Sequence, residues 1–146
     1  MSKLILMVGL PRSGKTTRAR KLSSDLNAPL VSPDAIRRVI TGRAYHQNSE
    51  PLVWGVAKTM VQSLFEAGHG TVIVDACNNT KARRDEWRFG HWKTELHVVA
   101  TPASVCRQRA VDSCADPNLL SVIDRMAVSY EPPDKDEGLL TSVAGF

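Results

Sequence analysis

The chain has 146 residues, 42% of them apolar, which suits one domain of ordinary size with a real hydrophobic core. Charged residues make up 23%, which is not the composition of a disordered chain, and the net charge of +4 is compatible with a polyanionic partner. An odd number of cysteines without Cys-x-x-Cys spacing argues against a disulfide framework and a structural zinc site, and favours a reducing, cytoplasmic compartment. No signal-peptide pattern and no apolar run of membrane-spanning length is present, so we expect no membrane partner. The cysteines are Cys77, Cys106 and Cys114.

Strands and helices are predicted to alternate through the first half of the chain. Residues 3–8 are a short, continuous apolar run closed by glycine, which is typical of a fully buried strand. Over 51–67, apolar residues repeat at i, i+1, i+4 and i+5, which gives a helix one apolar face. Ser32 or Asp34 is expected to cap a helix over 34–41. The remaining predictions here are a helix over 15–26, a short strand within 28–34, a polar loop over 41–50 and a strand over 71–76.

The second half continues the alternation. We predict a charged helix over 80–92, a strand over 95–101, a helix opened by Pro102 and another over about 118–129. The tail after residue 130 begins as a turn and is expected to finish as a strand. This order of elements predicts an α/β fold with a parallel sheet covered by helices on both faces, built as a single domain over 1–146.

The stretch "LILMVGLPRSGKTT" carries the strongest functional pattern. Its residues 9–16 fit G-x-x-x-x-G-K-[ST], and they follow a predicted buried strand and open a predicted helix. Glycines let successive N–H groups point inward at a phosphate, and the helix N-terminus adds its positive end. A glycine-rich turn with a merely solvated lysine would leave the full eight-residue pattern unexplained. We therefore predict a phosphate-binding loop for ATP, with the Thr16 hydroxyl on Mg²⁺, made of Gly9, Pro11, Arg12, Ser13, Gly14, Lys15, Thr16 and Thr17.

Two carboxylates follow predicted strands. Asp34 lies just past the second strand and Asp75 ends "TVIVD", so both are expected at the edge of the sheet where ligands bind. A carboxylate at this edge can orient an acceptor hydroxyl and take its proton. Asp75 is placed to hold Mg²⁺ through water or to orient the acceptor. The alternative for each is a capping role at the turn or helix that follows.

Five stretches in order resemble the small P-loop kinases typified by the kinase domain of phage polynucleotide kinase: "GLPRSGKTT", "VSPDAIRR", "TVIVDACNNTKARRDEW", "TPASVCRQR" and "VIDRMAVSYEPPDKDEG". The resemblance covers nearly the whole chain and implies a P-loop kinase fold with a helical lid. It implies that Asp34 is the general base and that Arg37 contacts a phosphate of the acceptor. The acceptor cleft is further expected to contain Asp75, Asn78 and Arg84.

The resemblance also implies a lid arginine on the helix after the strand over 95–101. Arg109 is the best match and a predicted catalytic residue. A further arginine is expected one helical turn beyond, but Ser113 stands there, so that Arg107 or Arg125 has to substitute.

Three functions remain open on the sequence alone. The first is an ATP-dependent kinase for a hydroxyl of a nucleic acid, either a 5′-OH end or a hydroxymethyl group on a modified base. The second is a kinase for a nucleoside, sugar or antibiotic, and the third is a nucleotide-binding module without transfer. Arginines at 37, 38, 83, 84 and 88 favour a phosphate-bearing acceptor.

Histidine and tryptophan residues add little to this choice. Trp87 and Trp92 flank Arg88, which favours packing against the sheet over a stacking platform for bases. The histidines show no metal-ligand spacing; they are His46, His69, His91 and His97.

Overall fold

Five parallel strands form a sheet in the order β2-β3-β1-β4-β5 in a computed structural model, which describes residues 1–42 and 47–143. The strands are β1 (Lys3–Val8), β2 (Leu30–Val31), β3 (Thr71–Val74), β4 (Lys93–Val99) and β5 (Leu139–Val143). The helices are α1 (Lys15–Leu26), α2 (Pro33–Thr41), α3 (Glu50–Glu66), α4 (Lys81–Asp85), α5 (Ala103–Asp112) and α6 (Asn118–Ser129). Short 3₁₀ turns occur at Gln47–Ser49 and Lys135–Glu137.

β1 lies at the centre because nearly every one of its side chains is apolar. Alternate residues of a strand point to opposite faces, so each face of β1 needs a cover. Leu6 and Val8 pack in a cluster that includes Ala57 of α3, whereas Met7 packs on the other face in a cluster that includes Ala19 of α1. The sheet therefore has helices on both faces, and the predicted α/β fold is confirmed.

One predicted helix is much shorter than expected. The charged segment over 80–92 forms a helix only as far as Asp85, and the chain then turns to enter β4. Arg84 and Trp87 are both completely buried, so the segment is anchored inward at these two positions rather than lying as an amphipathic helix on the surface. Trp87 packs in the core, as the sequence favoured.

The α3 face is narrower than its apolar pattern suggests, since Val53, Ala57 and Val61 are buried while Leu52 is 56% exposed. Part of the predicted loop over 41–50, with His46, lies outside the described residues. Within the described ranges, none of the helices combines the length and the apolar character that crossing a bilayer requires.

Helices α5 and α6 form a hairpin beyond the carboxyl end of β4, at the place expected for the helical lid. Cys106 and Ala110 of α5 pack on Ile123 of α6, and Leu10 of the first loop packs against the same cluster. Arg107 of α5 ties the hairpin together by donating to Asp124 of α6 at 2.6 Å. The hairpin is therefore packed directly on the loop that follows β1.

A buried ion pair anchors the segment that leads into β5. The Arg84 guanidinium donates to both carboxylate oxygens of Glu137, at 2.7 and 3.3 Å, and to the carbonyl of Asn78 at 2.9 Å. Burial alone would raise the pKa of Glu137, but Arg84 and the amide of Asp134 outweigh it and hold that pKa below its usual range. Both charges are thus compensated inside the protein.

We predict that Arg84→Ala destabilises the fold by about 3–5 kcal/mol, because it leaves the Glu137 charge buried without its partner. Urea unfolding followed by circular dichroism measures this change. The matched control is Lys81→Ala on the same helix, whose exposed pair with Asp85 is expected to leave the free energy of unfolding essentially unchanged. Equal stability of the two variants would contradict the buried-pair account.

Candidate active site

The loop after β1 has the curled backbone that its glycines predict. Gly9 donates its N–H to the carbonyl of Cys77 at 3.1 Å, and a Cβ at Gly9 would lie 2.7 Å from Ser13 Oγ. Gly14 has a φ of 96°, in the left-handed region that glycine adopts without strain. The loop then runs directly into α1 at Lys15, so the helix N-terminus faces the same space.

Lys15 is almost completely buried at the start of α1. Burial alone would lower the pKa of its ammonium, but the side chains of Cys77, Asp75 and Asp34 outweigh burial and raise that pKa. Burial in turn raises the pKa of the Cys77 thiol, against the lowering effect of the nearby lysine. Lys15 is therefore a protonated cation whose charge is favoured by Cys77 and by the carboxylates of Asp75 and Asp34.

Thr16 and Asp75 form a hydrogen-bonded pair beside the loop. The Thr16 hydroxyl donates to Asp75 Oδ2 at 2.8 Å, and Asp75 Oδ1 is buried with no hydrogen-bond partner within the described residues. Hydroxyl and carboxylate oxygens are the ligands that Mg²⁺ prefers, directly or through water. The unpartnered Oδ1 and the adjacent hydroxyl therefore fit a magnesium ion, as the sequence predicts for Thr16.

Asp34 does not cap helix α2. The cap is Ser32, whose Oγ accepts the N–H of Ala35 at 3.2 Å. The Asp34 side chain is 59% exposed, and its Oδ1 accepts a 2.6 Å bond from Arg37 Nη1. The capping alternative for Asp34 is therefore excluded, and its carboxylate lies near enough to Lys15 to contribute to the raised pKa of that lysine.

Arg37 is already engaged on two sides. Its Nε and Nη2 donate to the two carboxylate oxygens of Glu50 at 2.9 and 2.8 Å, in addition to the bond with Asp34. The Trp54 ring lies 5.6 Å from this guanidinium and 4.6 Å from that of Arg83. The sequence did not single out Glu50 or Trp54, because their relation to Arg37 arises only when α2 packs on α3. A phosphate that binds Arg37 has to share or replace Glu50.

Two residues predicted to contact the acceptor have structural roles instead. Arg84 has no exposed surface and is bound to Glu137 and the Asn78 carbonyl, so it offers no donor to an acceptor. The Asn78 side chain is buried, donates to the carbonyl of Met7 at 2.7 Å and accepts from Trp87 Nε1 at 3.1 Å. Both predictions need correction, because these polar groups are used to join the β3–α4 loop to the core.

The candidate lid arginines have different partners in the structure. Arg109 Nη1 donates to the carbonyl of Arg12 at 3.2 Å, which places Arg109 against the phosphate-binding loop. Arg107 is bound to Asp124, and Arg125 is exposed on α6. Ser113 is the C-cap residue of α5.

Thr101 is a residue of this region that sequence reasoning missed. Its Oγ1 donates to the carbonyl of Ser13 at 2.6 Å and holds the phosphate-binding loop to the end of β4. Its position just after β4, at the edge that carries Asp34 and Asp75, was the signal that could have identified it.

Comparison with known proteins identifies the family. A family model described as AAA domain, AAA_33, matches residues 4–133, and the chain belongs to this family. A sugar kinase from Janibacter sp. HTCC2649 has 18% identity and a TM-score of 0.73, covering 99% of this chain and 86% of that one. The Pnkp1/Rnl/Hen1 RNA repair complex contains a chain with 18% identity and a TM-score of 0.75, covering 88% of this chain and 43% of that one. A gluconokinase from Sinorhizobium meliloti 1021 has 18% identity and a TM-score of 0.61, covering 99% and 82%.

These likenesses establish a P-loop kinase-like fold and, through the family, imply nucleotide binding. They do not single out polynucleotide kinases, because the identity to the sugar kinase and to the RNA repair protein is the same. No curated protein sequence matches the chain significantly.

We predict that Lys15→Ala lowers phosphoryl transfer by at least about 10²-fold, because the cation that meets the β- and γ-phosphates is lost. Thr16→Ala is expected to abolish the magnesium dependence of ATP binding, whereas Thr16→Ser keeps the hydroxyl and most of the affinity. Titration of ATP with and without Mg²⁺ measures the second effect. A folded Lys15→Ala protein with near-wild-type activity would rule out this loop as the ATP site.

Proposed function

We propose that the chain is an ATP-dependent phosphotransferase that moves the γ-phosphate of ATP to a hydroxyl group of a nucleic acid. The observation that carries the proposal is the grouping of a buried lysine cation, a Thr16–Asp75 pair suited to Mg²⁺ and the Asp34 carboxylate at one edge of the sheet. We further propose that residues 1–146 work as one kinase domain in a reducing, cytoplasmic compartment.

Each of these groups has a defined task in the transfer. Lys15 and the loop N–H groups bind the phosphates, and Thr16 with Asp75 would hold Mg²⁺, which would neutralise charge on the β- and γ-phosphates. Asp34 accepts the proton of the acceptor hydroxyl as its oxygen attacks. Arg37 keeps the Asp34 carboxylate oriented through the 2.6 Å bond to Oδ1. Arg109, at the Arg12 carbonyl, adds positive charge on the lid side of the loop.

Positive charge near Asp34 supports a phosphate-bearing acceptor. Arg37 and Arg83 both lie against Trp54, and Arg38 is exposed on the same helix as Asp34. Guanidinium groups bind phosphate oxygens in a planar, bidentate manner. The shared fold with a chain of an RNA repair complex agrees with this choice. The acceptor is then a 5′-OH end or a hydroxymethyl group on a modified base.

A small-molecule acceptor is the second candidate, and one observation favours it. Glu50 and Asp34 already occupy three donors of Arg37, which an uncharged acceptor would leave undisturbed. The sugar kinase and the gluconokinase have the same fold. A nucleotide-binding module without transfer is less favoured, since such a module needs no carboxylate at Asp34.

The decisive experiment is incubation with γ-labelled ATP and a panel of acceptors. The panel contains 5′-OH DNA, 5′-OH RNA, hydroxymethylated duplex DNA, nucleosides and sugars, and the Lys15→Ala protein is the negative control. Label on a nucleic acid supports the proposal, and label on a nucleoside or sugar alone supports the second candidate. If the protein binds ATP but labels none of the acceptors, the result supports the third candidate, a nucleotide-binding module that transfers no phosphate.

Asp34→Asn and Asp34→Ala are both expected to lower kcat on the order of 10²-fold or more while ATP still binds. Since Ser32 caps α2, neither substitution removes a helix cap, and thermal unfolding should confirm that both proteins stay folded. Measurement of kcat and of ATP affinity for the two variants tests the prediction. If Asp34→Asn retains most of its kcat, the base is another group, and Asp75 is the next candidate.

Arg37→Ala is expected to raise the acceptor KM about tenfold or more for phosphate-bearing acceptors, with little change in the KM for ATP, because one charge-assisted bidentate contact is lost. Arg20→Ala, which removes an exposed arginine of α1, is the matched control. The effect should shrink for an acceptor that lacks the phosphate. A change confined to the KM for ATP would show that Arg37 does not serve the acceptor.

A further inference from the structure

Arg12 has a backbone conformation that its residue type does not favour. Its φ is 66°, in the left-handed region, within the same loop in which Gly14 supplies a φ of 96°. A residue with a Cβ adopts this region at a cost in free energy, whereas glycine adopts it without strain. Glycine at position 12 would therefore give this loop backbone a lower free energy. An arginine at this position implies that its side chain has a role that offsets the cost.

The side chain of Arg12 is exposed, and within residues 1–42 and 47–143 it forms no hydrogen bond or ion pair. By contrast, other guanidinium groups around the site form ion pairs with carboxylates. Arg37 is bound to Glu50, and Arg107 is bound to Asp124. Arg12 therefore presents an uncompensated cation at the loop that curls around the phosphate site.

A second cation lies beside it. Arg109 Nη1 donates to the backbone carbonyl of Arg12 at 3.2 Å, so the Arg109 guanidinium lies against the backbone of the residue that carries the exposed arginine. Two cations borne by one short stretch of structure favour the binding of an anion between them. The charge that develops in phosphoryl transfer, spread over the equatorial oxygens of the moving group, is such an anion.

We propose that Arg12 is a catalytic residue that contacts the γ-phosphoryl group during transfer and shares its charge with Arg109. This inference rests on the proposed phosphotransferase function. In the reaction the acceptor oxygen forms a bond to the γ-phosphorus, the bond to the β–γ bridging oxygen breaks, and ADP leaves with that electron pair. The acceptor proton goes to Asp34, while the Arg12 guanidinium stays protonated throughout and acts only by its charge and donors.

The test uses binding rather than turnover, so it needs no acceptor. The affinity for Mg²⁺–ADP is measured with and without aluminium fluoride, which places a mimic of the transferred group beside ADP. The variants are Arg12→Gly, which removes the charge and the backbone strain together, and Arg12→Lys, which keeps a positive charge. Arg20→Ala, which removes an exposed arginine of α1, is the matched control.

Wild-type protein and Arg20→Ala should bind ADP more tightly when aluminium fluoride is present. Arg12→Gly should lose on the order of 10²-fold of that gain, and Arg12→Lys should lose less. Thermal unfolding should show Arg12→Gly at least as stable as the wild type, because glycine suits the left-handed backbone.

The outcomes separate the two claims. If aluminium fluoride gives Arg12→Gly the same gain as the wild type, Arg12 does not touch the transferred group and this inference is wrong. If the wild type itself shows no gain, the phosphotransferase proposal fails, and the role of Arg12 fails with it. A loss in Arg12→Gly that accompanies a lower melting temperature and a weaker binding of ADP alone would show a structural role instead.

Discussion

The parallel pairing of β1 with β3 and β4 is the constraint on which the rest of the structure depends. Leu6 is aligned with Val74 on one side and with Leu96 on the other, so the three strands end at the same edge. The residues that follow them then have to meet there. That is why the phosphate-binding loop, Asp75 and Thr101 are neighbours although they are far apart in sequence. The site is a consequence of strand register before it is a consequence of any side-chain contact.

Three buried or half-buried cations in this fold are compensated in three different ways. Arg84 is fully enclosed and held by Glu137, so its charge serves the stability of the fold. Lys15 is also buried, and its charge is favoured by Cys77 and by the carboxylates of Asp75 and Asp34. Among the described residues no carboxylate forms an ion pair with it, which leaves its ammonium available to an anion. Arg37 stands between these cases, because its partners Glu50 and Asp34 are only partly removed from water. The presence or absence of a direct ion pair, and not burial alone, therefore decides whether each cation can bind a ligand.

Local pattern was enough for a large part of this structure. The strand over 3–8, the helix over 15–26 and the helix over 118–129 are found with the predicted bounds. The phosphate-binding loop also has the predicted curl, since its glycines permit the left-handed backbone and the close approach that the turn requires. These features depend on residues that are close together in sequence.

Features that depend on distant partners were not predictable from the same reasoning. In the sequence, Arg84 looks like a surface arginine of a charged helix. Its burial depends on Glu137, which lies 53 residues later and bonds to it only in the folded chain. The same burial explains why the predicted helix over 80–92 ends at Asp85. Asn78 follows a strand end as a site residue would, yet its amide is used by Met7 and Trp87. A strand-end position therefore identifies candidates for a site, and only packing distinguishes a binding group from a structural one.

The ion pair between Glu50 and Arg37 bears on which kind of acceptor the proposed site would bind. Its carboxylate takes two donors of Arg37, at 2.9 and 2.8 Å, through a pair that joins α2 to α3. A phosphodiester carries one negative charge and presents two oxygens to a guanidinium in the same planar manner, so it can take the place of the Glu50 carboxylate at the Arg37 guanidinium. An uncharged acceptor makes no such exchange and binds beside an intact pair. Specificity is a difference of affinities, and under the proposed role of Arg37 it depends on how strongly Glu50 competes with the acceptor for that guanidinium.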